Sequence, residues 1–547
     1  MADRKIILIL SGEIGSGKTT LANKLANEYG FLSFKTHERL KHLASIEKID
    51  VTDRNGLQKF GAELDAEDDG KWVRTFFLEK TSASFYEHNF YVIDAARILG
   101  QIVHFRNSYS QAVVHVHLKA ASKTLEERFL KREKELKRPK KDINNSYKQY
   151  KSDSTEKQVN SLENEADLVI DTDRCNEDDV LTRVTSFLKI LPPLDTKLVD
   201  VLVGGQFGSE GKGQIAAYLA PEYDCLIRVG GPNAGHTVYE EPDKHVFHLL
   251  PSGTHRNQSA KLILAPGAVL NVDKLLDEIR IYLRDEDSKP RLIIDENAVV
   301  ISQNDIENEK RLQEHISSTA QGVGYATANN IIERLKGGDK HKAKNNPRLR
   351  PYIGNAQLEL QKLFSSNKKI LLEGTQGTAL SLYHGIYPFV TSRDTSVSGC
   401  LSEIGISPLR VRKVIMVTRT YPIRVGGNSG GFGSNETTWD TISMRSGKDS
   451  EVLKMKEITT TTKKDRRVAE FSWSMFRKAC EINSPTDIAL TFADYLSIKN
   501  ENARRYEQLT SATKEFIEEI ERCSGVKTSL IGTGFGYRAV IDRRNWK

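Results

Sequence analysis

Ile6-Ile-Leu-Ile-Leu-Ser-Gly12-Glu-Ile-Gly15-Ser-Gly17-Lys18-Thr19-Thr20 runs from an apolar strand through a glycine-rich loop into a helical stretch, Leu21 to Tyr29. The same grammar returns roughly 190 residues later as Val199-Asp-Val-Leu-Val, then Gly204 to Gly213, then Ile215 to Leu219. A short, continuous apolar run suits a strand buried on both faces, and clustered glycines suit a turn that brings backbone close to a ligand. Two such openings, different in sequence, predict two α/β domains. Between them Ala166-Asp-Leu-Val-Ile-Asp reads as a closing strand and Glu177 to Ile190 as a helix. Pro192-Pro193-Leu-Asp-Thr then reads as a linker. The expected domains are 1–191, built on a parallel sheet, and a larger α/β domain, 197–547.

The first loop satisfies G-x-x-x-x-G-K-[ST] in full. Gly12, Gly15 and Gly17 let backbone N–H groups curl around phosphate oxygens. Lys18 can bridge the terminal phosphates and Thr19 can hold Mg²⁺, with Thr20 opening the helix beside them. Phe90-Tyr-Val-Ile-Asp94 is an apolar strand ending in an acid, with Arg97 three residues on. Arg54, Gln58 and Gly61 fall in a helical stretch ending near Trp72, and Arg128 and Arg132 share a helix face at i, i+4. Lys131 to Lys157 is charged and poor in apolar residues, which fits a solvated helix and mobile lid. Arginines that close over a transferring phosphoryl group suit phosphoryl transfer. Roughly residues 5–190 resemble nucleoside-monophosphate kinases, especially the deoxynucleotide and dephospho-CoA kinase-like group. That resemblance implies a P-loop kinase domain with Asp94, Arg97, Arg128 and Arg132 as acceptor and lid residues.

The second loop, Gly204-Gly-Gln-Phe-Gly208-Ser209-Glu-Gly211-Lys212-Gly213, lacks P-loop spacing but still suggests a phosphate site. Arg228-Val-Gly-Gly-Pro-Asn233-Ala-Gly235-His236-Thr237 follows, then Leu249-Leu-Pro-Ser-Gly253, Ser317-Ser-Thr319-Ala-Gln-Gly, Glu373-Gly-Thr-Gln376-Gly377, Tyr387-Pro-Phe-Val-Thr391 and Arg419-Thr-Tyr-Pro-Ile-Arg424. In order and spacing these resemble adenylosuccinate synthetase over nearly all of 198–547. The resemblance implies a two-step ligation. A nucleoside triphosphate phosphorylates the 6-oxygen of a purine monophosphate, and the amine of L-aspartate then displaces that phosphate. It also implies roles. His236 is the general acid at the 6-oxygen, a task suited to a near-neutral pKa. Gln376 steadies the purine, Lys212 meets the donor γ-phosphate, and the Gly235 carbonyl joins the Mg²⁺ shell. Gly208, Gly211 and Gly213 belong to the phosphate loop. Asn233, Thr319 and Thr391 contact the acceptor phosphate, and Asp494 reads the guanine of GTP. A homodimer with shared sites is expected by analogy.

Three departures bear on substrate. Ser209 stands where the family has a catalytic Asp that takes the N1 proton and helps hold Mg²⁺; serine is a poor base and a weak ligand. A viral branch that carries this Asp-to-Ser change converts dGMP to N6-succino-2-amino-deoxyadenylate, so a 2-aminopurine is the expected substrate. Lys464, in Thr461-Thr462-Lys463-Lys464-Asp465-Arg466, falls where an arginine would grip the aspartate carboxylate, and lysine offers a point charge instead of a fork. Gln321 also replaces a frequent arginine. Aspartate remains the expected amine donor through Thr461, Thr462, Lys464 and Arg466. The phosphate donor stays open between GTP and ATP or dATP. Two other readings also stay open: the ordinary reaction on IMP or dIMP, and a nucleotide-binding regulator with inactive sites.

Composition sets outer bounds. The chain has 547 residues, 38% hydrophobic and 28% charged, which excludes a disordered or fibrous protein. No repeat indicates a solenoid. No apolar run approaches the roughly 20 residues of a membrane span, and the apolar run Ile6 to Leu10 is too short for a signal-peptide core. No membrane partner and a cytoplasmic location are therefore expected. The five cysteines are scattered without a C-x-x-C pair. A net charge of +7 suits small anionic substrates and is no nucleic-acid signature.

Overall fold

The computed structural model describes residues 4–49, 54–81, 88–135, 147, 158–191, 194–240, 242–283, 291–316, 318–336, 339–458 and 464–544. The chain divides into two compact units, Met1–Leu191 and Pro192–Lys547. Both are α/β. Among the described residues no helix is long and apolar enough to cross a membrane.

In the first unit, β1 (Ile6–Ser11), β2 (Leu32–Lys35), β3 (Phe90–Asp94), β4 (Val113–Lys119) and β5 (Leu168–Asp171) form a parallel sheet in the order β2-β3-β1-β4-β5. All six residues of β1 are buried, as a central parallel strand covered on both faces requires. Its side chains alternate between two cores. Ile6, Leu8 and Leu10 pack with Leu21 and Leu25 of helix α1 (Lys18–Tyr29) and with Val184, whereas Ile7 and Ile9 face Trp72, Phe77 and Phe105. The helix after β5 spans Glu177–Phe187 and begins in a capping box between Asn176 and Asp179.

The stretch containing Gln58 and Gly61 differs from expectation. It is two helices, Arg54–Asp68 and Lys71–Thr81, and Trp72 opens the second instead of closing the first. Gly70 makes the break with φ +74°, where an added Cβ would lie 2.5 Å from Gln101 Cγ. The helix carrying Arg128 and Arg132 is Ser122–Glu135. Apart from Tyr147, the remainder of the expected lid up to Lys157 lies outside the described residues.

The second unit centres on a ten-stranded sheet. Its order is Ile353–Gly354, Leu292–Asp295, Lys261–Leu264, β7 (Cys225–Arg228), Ile370–Glu373, β6 (Val199–Gly204), Val411–Arg419, Asp487–Thr491, Thr528–Gly532 and Val540–Asp542. Every pairing is parallel except the last. Strand β6 is wholly buried, Asp200 included. That carboxylate is satisfied by Tyr223 Oη at 2.6 Å and by both forks of Arg412. A two-stranded hairpin, β8 (His236–Glu240) and β9 (Asp243–Phe247), projects from the segment after β7. The loops after β6, β7, Ile370–Glu373, Val411–Arg419 and Asp487–Thr491 all leave the carboxyl ends of parallel strands, where open α/β sheets bind ligands.

Candidate functional site

In the first unit the β1–α1 loop is shaped by three glycines in the left-handed region: Gly12 (φ +134°), Gly15 (φ +86°) and Gly17 (φ +96°), the last capping α1. A Cβ at Gly12 would sit 2.1 Å from the Leu118 carbonyl oxygen, so no other residue fits. Lys18 is buried and folds back over its own loop, its Nζ donating to the carbonyls of Gly12 and Glu13 at 2.8 Å each. Thr19 is exposed and Thr20 half-buried at the helix start. Asp94 is buried at the end of β3, and its Oδ2 has no hydrogen-bond partner among the described residues.

The arginines divide. Arg97 sits on the loop after β3, its N–H donating to Gln101 Oε1. Arg128 commits its guanidinium to Thr172, to Oγ1 at 2.8 Å and the carbonyl at 2.9 Å, so in this state it holds a loop and does not reach for an acceptor. Arg132 is exposed one turn on. Sequence reasoning missed the buried group beneath this loop. Ser11 Oγ lies 2.6 Å from His115 Nε2 and 2.9 Å from His117 Nδ1. Burial pushes each imidazole down to about 4, with His115 adding to the shift of His117.

In the second unit, Gly208 (φ +96°) and Gly211 (φ +86°) shape the loop, and Gly211 caps the helix Lys212–Leu219. The loop holds its own anion. Glu210 Oε1 accepts from the backbone N–H groups of Gln206 (2.9 Å) and Gly208 (2.8 Å), and Oε2 accepts from Lys212 Nζ at 2.6 Å. Glu210 and Lys212 are each 1% exposed. Ser209 is half-buried, and its carbonyl accepts from Arg419.

His236 begins β8, close against that helix: a Cβ on Gly213 would lie 2.8 Å from His236 Cβ. The His236 Nδ1–H donates to Glu373 Oε1 at 2.6 Å, and Glu373 also takes the Ser252 N–H at 2.7 Å and the Ser252 hydroxyl. This fixes the tautomer and leaves Nε2 buried without a partner among the described residues. Burial, reinforced by the nearby Arg228 guanidinium and opposed by Glu373, pushes His236 down to about 4. Burial pushes Glu373 up, and the His236 ring and Arg228 outweigh it, holding the carboxyl below its ordinary value. The resting pair is a neutral imidazole against a carboxylate.

Gln376, in the left-handed region at φ +60°, donates from Nε2 to Thr391 Oγ1 at 3.0 Å. Asn233 Nδ2 reaches the same hydroxyl at 3.4 Å, and Asn233 Oδ1 is buried without a partner among the described residues. Asn233, Gln376 and Thr391 are thus one polar cluster. Gly235 directly precedes His236. The Thr319 carbonyl accepts from Gln321, whose Oε1 accepts from Lys274.

Two further expected site residues sit in ionic clusters. Asp494 is fully buried with Lys448 Nζ 2.8 Å away, and neither of its carboxylate oxygens has an aligned hydrogen bond among the described residues. Arg466 pairs with Glu457 at 2.9 Å, beside Arg419 (2.7 Å) and Tyr495 Oη (2.8 Å) on the same carboxylate. Burial pushes Glu457 up, but Arg419 and Arg466 outweigh it and hold it down to about 2. Lys464 is exposed, and Thr461 and Thr462 lie outside the described residues.

The adenylosuccinate synthetase family profile matches residues 201–337 and 338–501, and an AAA domain profile matches 8–176. The adenylosuccinate synthetase of Methanococcus aeolicus is 36% identical over 350 residues, covering 63% of this chain and 99% of its own. That of Methanocaldococcus jannaschii is 35% identical over 351 residues, covering 63% and 96%. Among solved structures, fully ligated adenylosuccinate synthetase from Plasmodium falciparum aligns with TM-score 0.55 at 24% identity, over 64% of this chain and 100% of that one. The cyanophage S-2L succinoaminodeoxyadenylate synthetase PurZ, bound to dGMP and dATP as an energy donor, aligns with TM-score 0.53 at 27% identity, over 64% and 96%. With a profile match across more than half its length and relatives matched nearly end to end, the chain belongs to the adenylosuccinate synthetase family.

Proposed function

We propose that the second unit ligates L-aspartate to C6 of dGMP, giving N6-succino-2-amino-deoxyadenylate, and that the first unit is a nucleotide kinase. The observation that carries the ligase reading is the coexistence of an intact His236–Glu373 relay with a neutral Ser209 on the facing loop. Glu210, the neighbouring acid, is committed to the loop: its Oε1 accepts from the Gln206 and Gly208 N–H groups and its Oε2 from Lys212. A small neutral hydroxyl leaves space and no charge beside a 2-amino group. The dGMP bound to the S-2L enzyme supports the same choice.

In this reading N1 of the purine gives its proton to water, the 6-oxygen attacks the γ-phosphorus, and the bond to the β-phosphate oxygen breaks. The aspartate amine then attacks C6, phosphate departs, and the amine loses a proton. His236 can donate from Nε2 only as imidazolium. Its low pKa in the free protein means that the negative charge of bound phosphates must draw the proton on, while Glu373 holds the ring and stabilises that charge. Lys212 must exchange Glu210 for the γ-phosphate, and Gln376, Asn233 and Thr391 orient the acceptor. Mg²⁺, which neutralises phosphate charge when bound, finds oxygen donors in both units. In the first these are the Thr19 hydroxyl and the unpartnered Oδ2 of Asp94; in the second, only the neutral Ser209 hydroxyl and Gly235 carbonyl. The dATP bound as energy donor to the S-2L enzyme supports ATP or dATP over GTP as the ligase donor. The higher identity to archaeal adenylosuccinate synthetases favours the alternative reaction on IMP.

The test incubates the full chain with Mg²⁺, L-aspartate and ATP, dATP or GTP, and with dGMP, GMP, IMP or dIMP, and reads products by mass spectrometry. A succino adduct from dGMP is expected, with Ser209→Asp moving preference toward IMP. Conversion of the acceptor monophosphate to its own diphosphate should vanish in Lys18→Met, while the adduct and the donor diphosphate that the ligase releases persist. Adduct from IMP alone would overturn the dGMP reading, and no adduct from any purine would overturn the ligase.

A further inference from the structure

We infer that Glu240, His245 and His255 form a binding site for a divalent metal ion of the zinc class, on the hairpin that begins at His236. The register of the hairpin pairs Val238 with His245 and Glu240 with Asp243, so Glu240 and His245 are diagonal neighbours on one face. His255 arrives from the loop after Gly253 and stacks on His245 with ring centroids 4.2 Å apart. One ligand atom from each of the three residues lies within 4.8 Å of the others.

Two of the side chains carry orphaned atoms at this place. Glu240 Oε1 accepts from Arg256 Nη1 at 2.7 Å, but Oε2 is buried without a hydrogen bond among the described residues, with His255 Nε2 3.5 Å away. His245 Nε2 is likewise buried and unpartnered. Unsatisfied buried polar atoms are uncommon, and two on neighbouring side chains of one His/Glu cluster point to a missing ligand.

Two imidazole nitrogens and one carboxylate oxygen are the donor set of a three-ligand zinc site with a fourth position for water, and Mg²⁺ would not select imidazole. Tetrahedral zinc at roughly 2.0–2.1 Å from each ligand sets ligand atoms about 3.3 Å apart, so no separation here has to close by more than about 1.5 Å. His255 is exposed and can make that movement, and its open side admits the ion and its water. Arg256, held over the Tyr537 ring at 4.1 Å, keeps Oε1 and so makes Glu240 a one-oxygen ligand. The site lies at the far end of β8 from His236, and Tyr239 also accepts from the Tyr537 N–H, so a bound ion would fasten the hairpin that presents His236.

The experiment titrates Co²⁺ into the full chain in excess Mg²⁺ and follows visible d–d absorption. One equivalent with the intense bands of a tetrahedral site is expected, bleached by one equivalent of Zn²⁺. The bands should be lost in His255→Ala and in His245→Ala/His255→Ala, with the far-UV circular dichroism unchanged. If the half-buried His245 proves necessary for folding, the exposed His255 alone decides. Absence of the bands in the wild type, or their persistence in a folded His255→Ala, would overturn the site. Neither outcome depends on which purine the ligase uses.

Discussion

Replacing Glu373 by Gln tests the relay behind His236 with almost no change of volume. The glutamine must offer an amide N–H₂ where a carboxylate oxygen now accepts from Ser252 N–H or from His236. One of those donors then faces another donor. The charge-assisted bond to a charged imidazole is worth about 1.5–3 kcal/mol. At about 1.4 kcal/mol per pKa unit, its loss lowers the His236 pKa by roughly 1–2 units. A general acid working above its pKa is protonated in proportion to the pKa, so kcat at neutral pH should fall by about tenfold to a hundredfold. Arg228, buried nearby, loses one of the two carboxylates that support its charge, Glu278 being the other, so stability should also fall. The assay is steady-state succino-nucleotide formation across pH, with urea unfolding alongside. The KM for the purine should hold within about threefold, and the decline of kcat with rising pH should begin at lower pH. A folded variant with wild-type kcat and an unshifted profile would refute the role of Glu373.

Two further outcomes follow from packing and charge. Gly213→Ala would put a Cβ 2.8 Å from His236 Cβ and 3.2 Å from Ser252 Oγ. It should cost about 1–3 kcal/mol in urea unfolding and lower kcat more than tenfold while the chain stays folded. Glu457 has a folded pKa of about 2, below its unfolded value of 4.5, so the unfolded chain takes the proton first. Its contribution is complete above pH 4.5 and is lost as pH falls toward 2; the stability gap between wild type and Glu457→Gln should therefore narrow by about 3 kcal/mol over that window, measured by unfolding at successive pH values.

Local features were the legible ones. The buried strands β1 and β6, the glycine turns and the lysines that follow them are neighbours in sequence, and a short window carries the whole signal. The helix break at Gly70 was also written locally, in a glycine that a periodic apolar pattern runs across. What escaped is the partnership of residues far apart in the chain. His236 and Glu373 are separated by 137 positions, and Ser252 reaches Glu373 across 121. Only the strand order brings the ends of β7 and Ile370–Glu373 side by side, and one sequence carries no trace of it. Glu210 was the nearer miss. An acid within a glycine loop, two residues before its lysine, signals an internal counter-ion. For Asp494 the motif position identifies the residue type, but nothing local in the sequence announces Lys448 beside it.

Glu210 also sets the shape of the second loop. A carboxylate seated among the N–H groups of Gln206 and Gly208 keeps those dipoles convergent. The loop is therefore folded before its ligand arrives, and little backbone entropy remains to be lost on docking. The same carboxylate repels weakly charged visitors less than it competes with them, because a newcomer must draw Lys212 away from a contact of 2.6 Å. Any anion that takes up Lys212 therefore does so by exchange with a carboxylate, so its affinity is a difference between two ionic contacts.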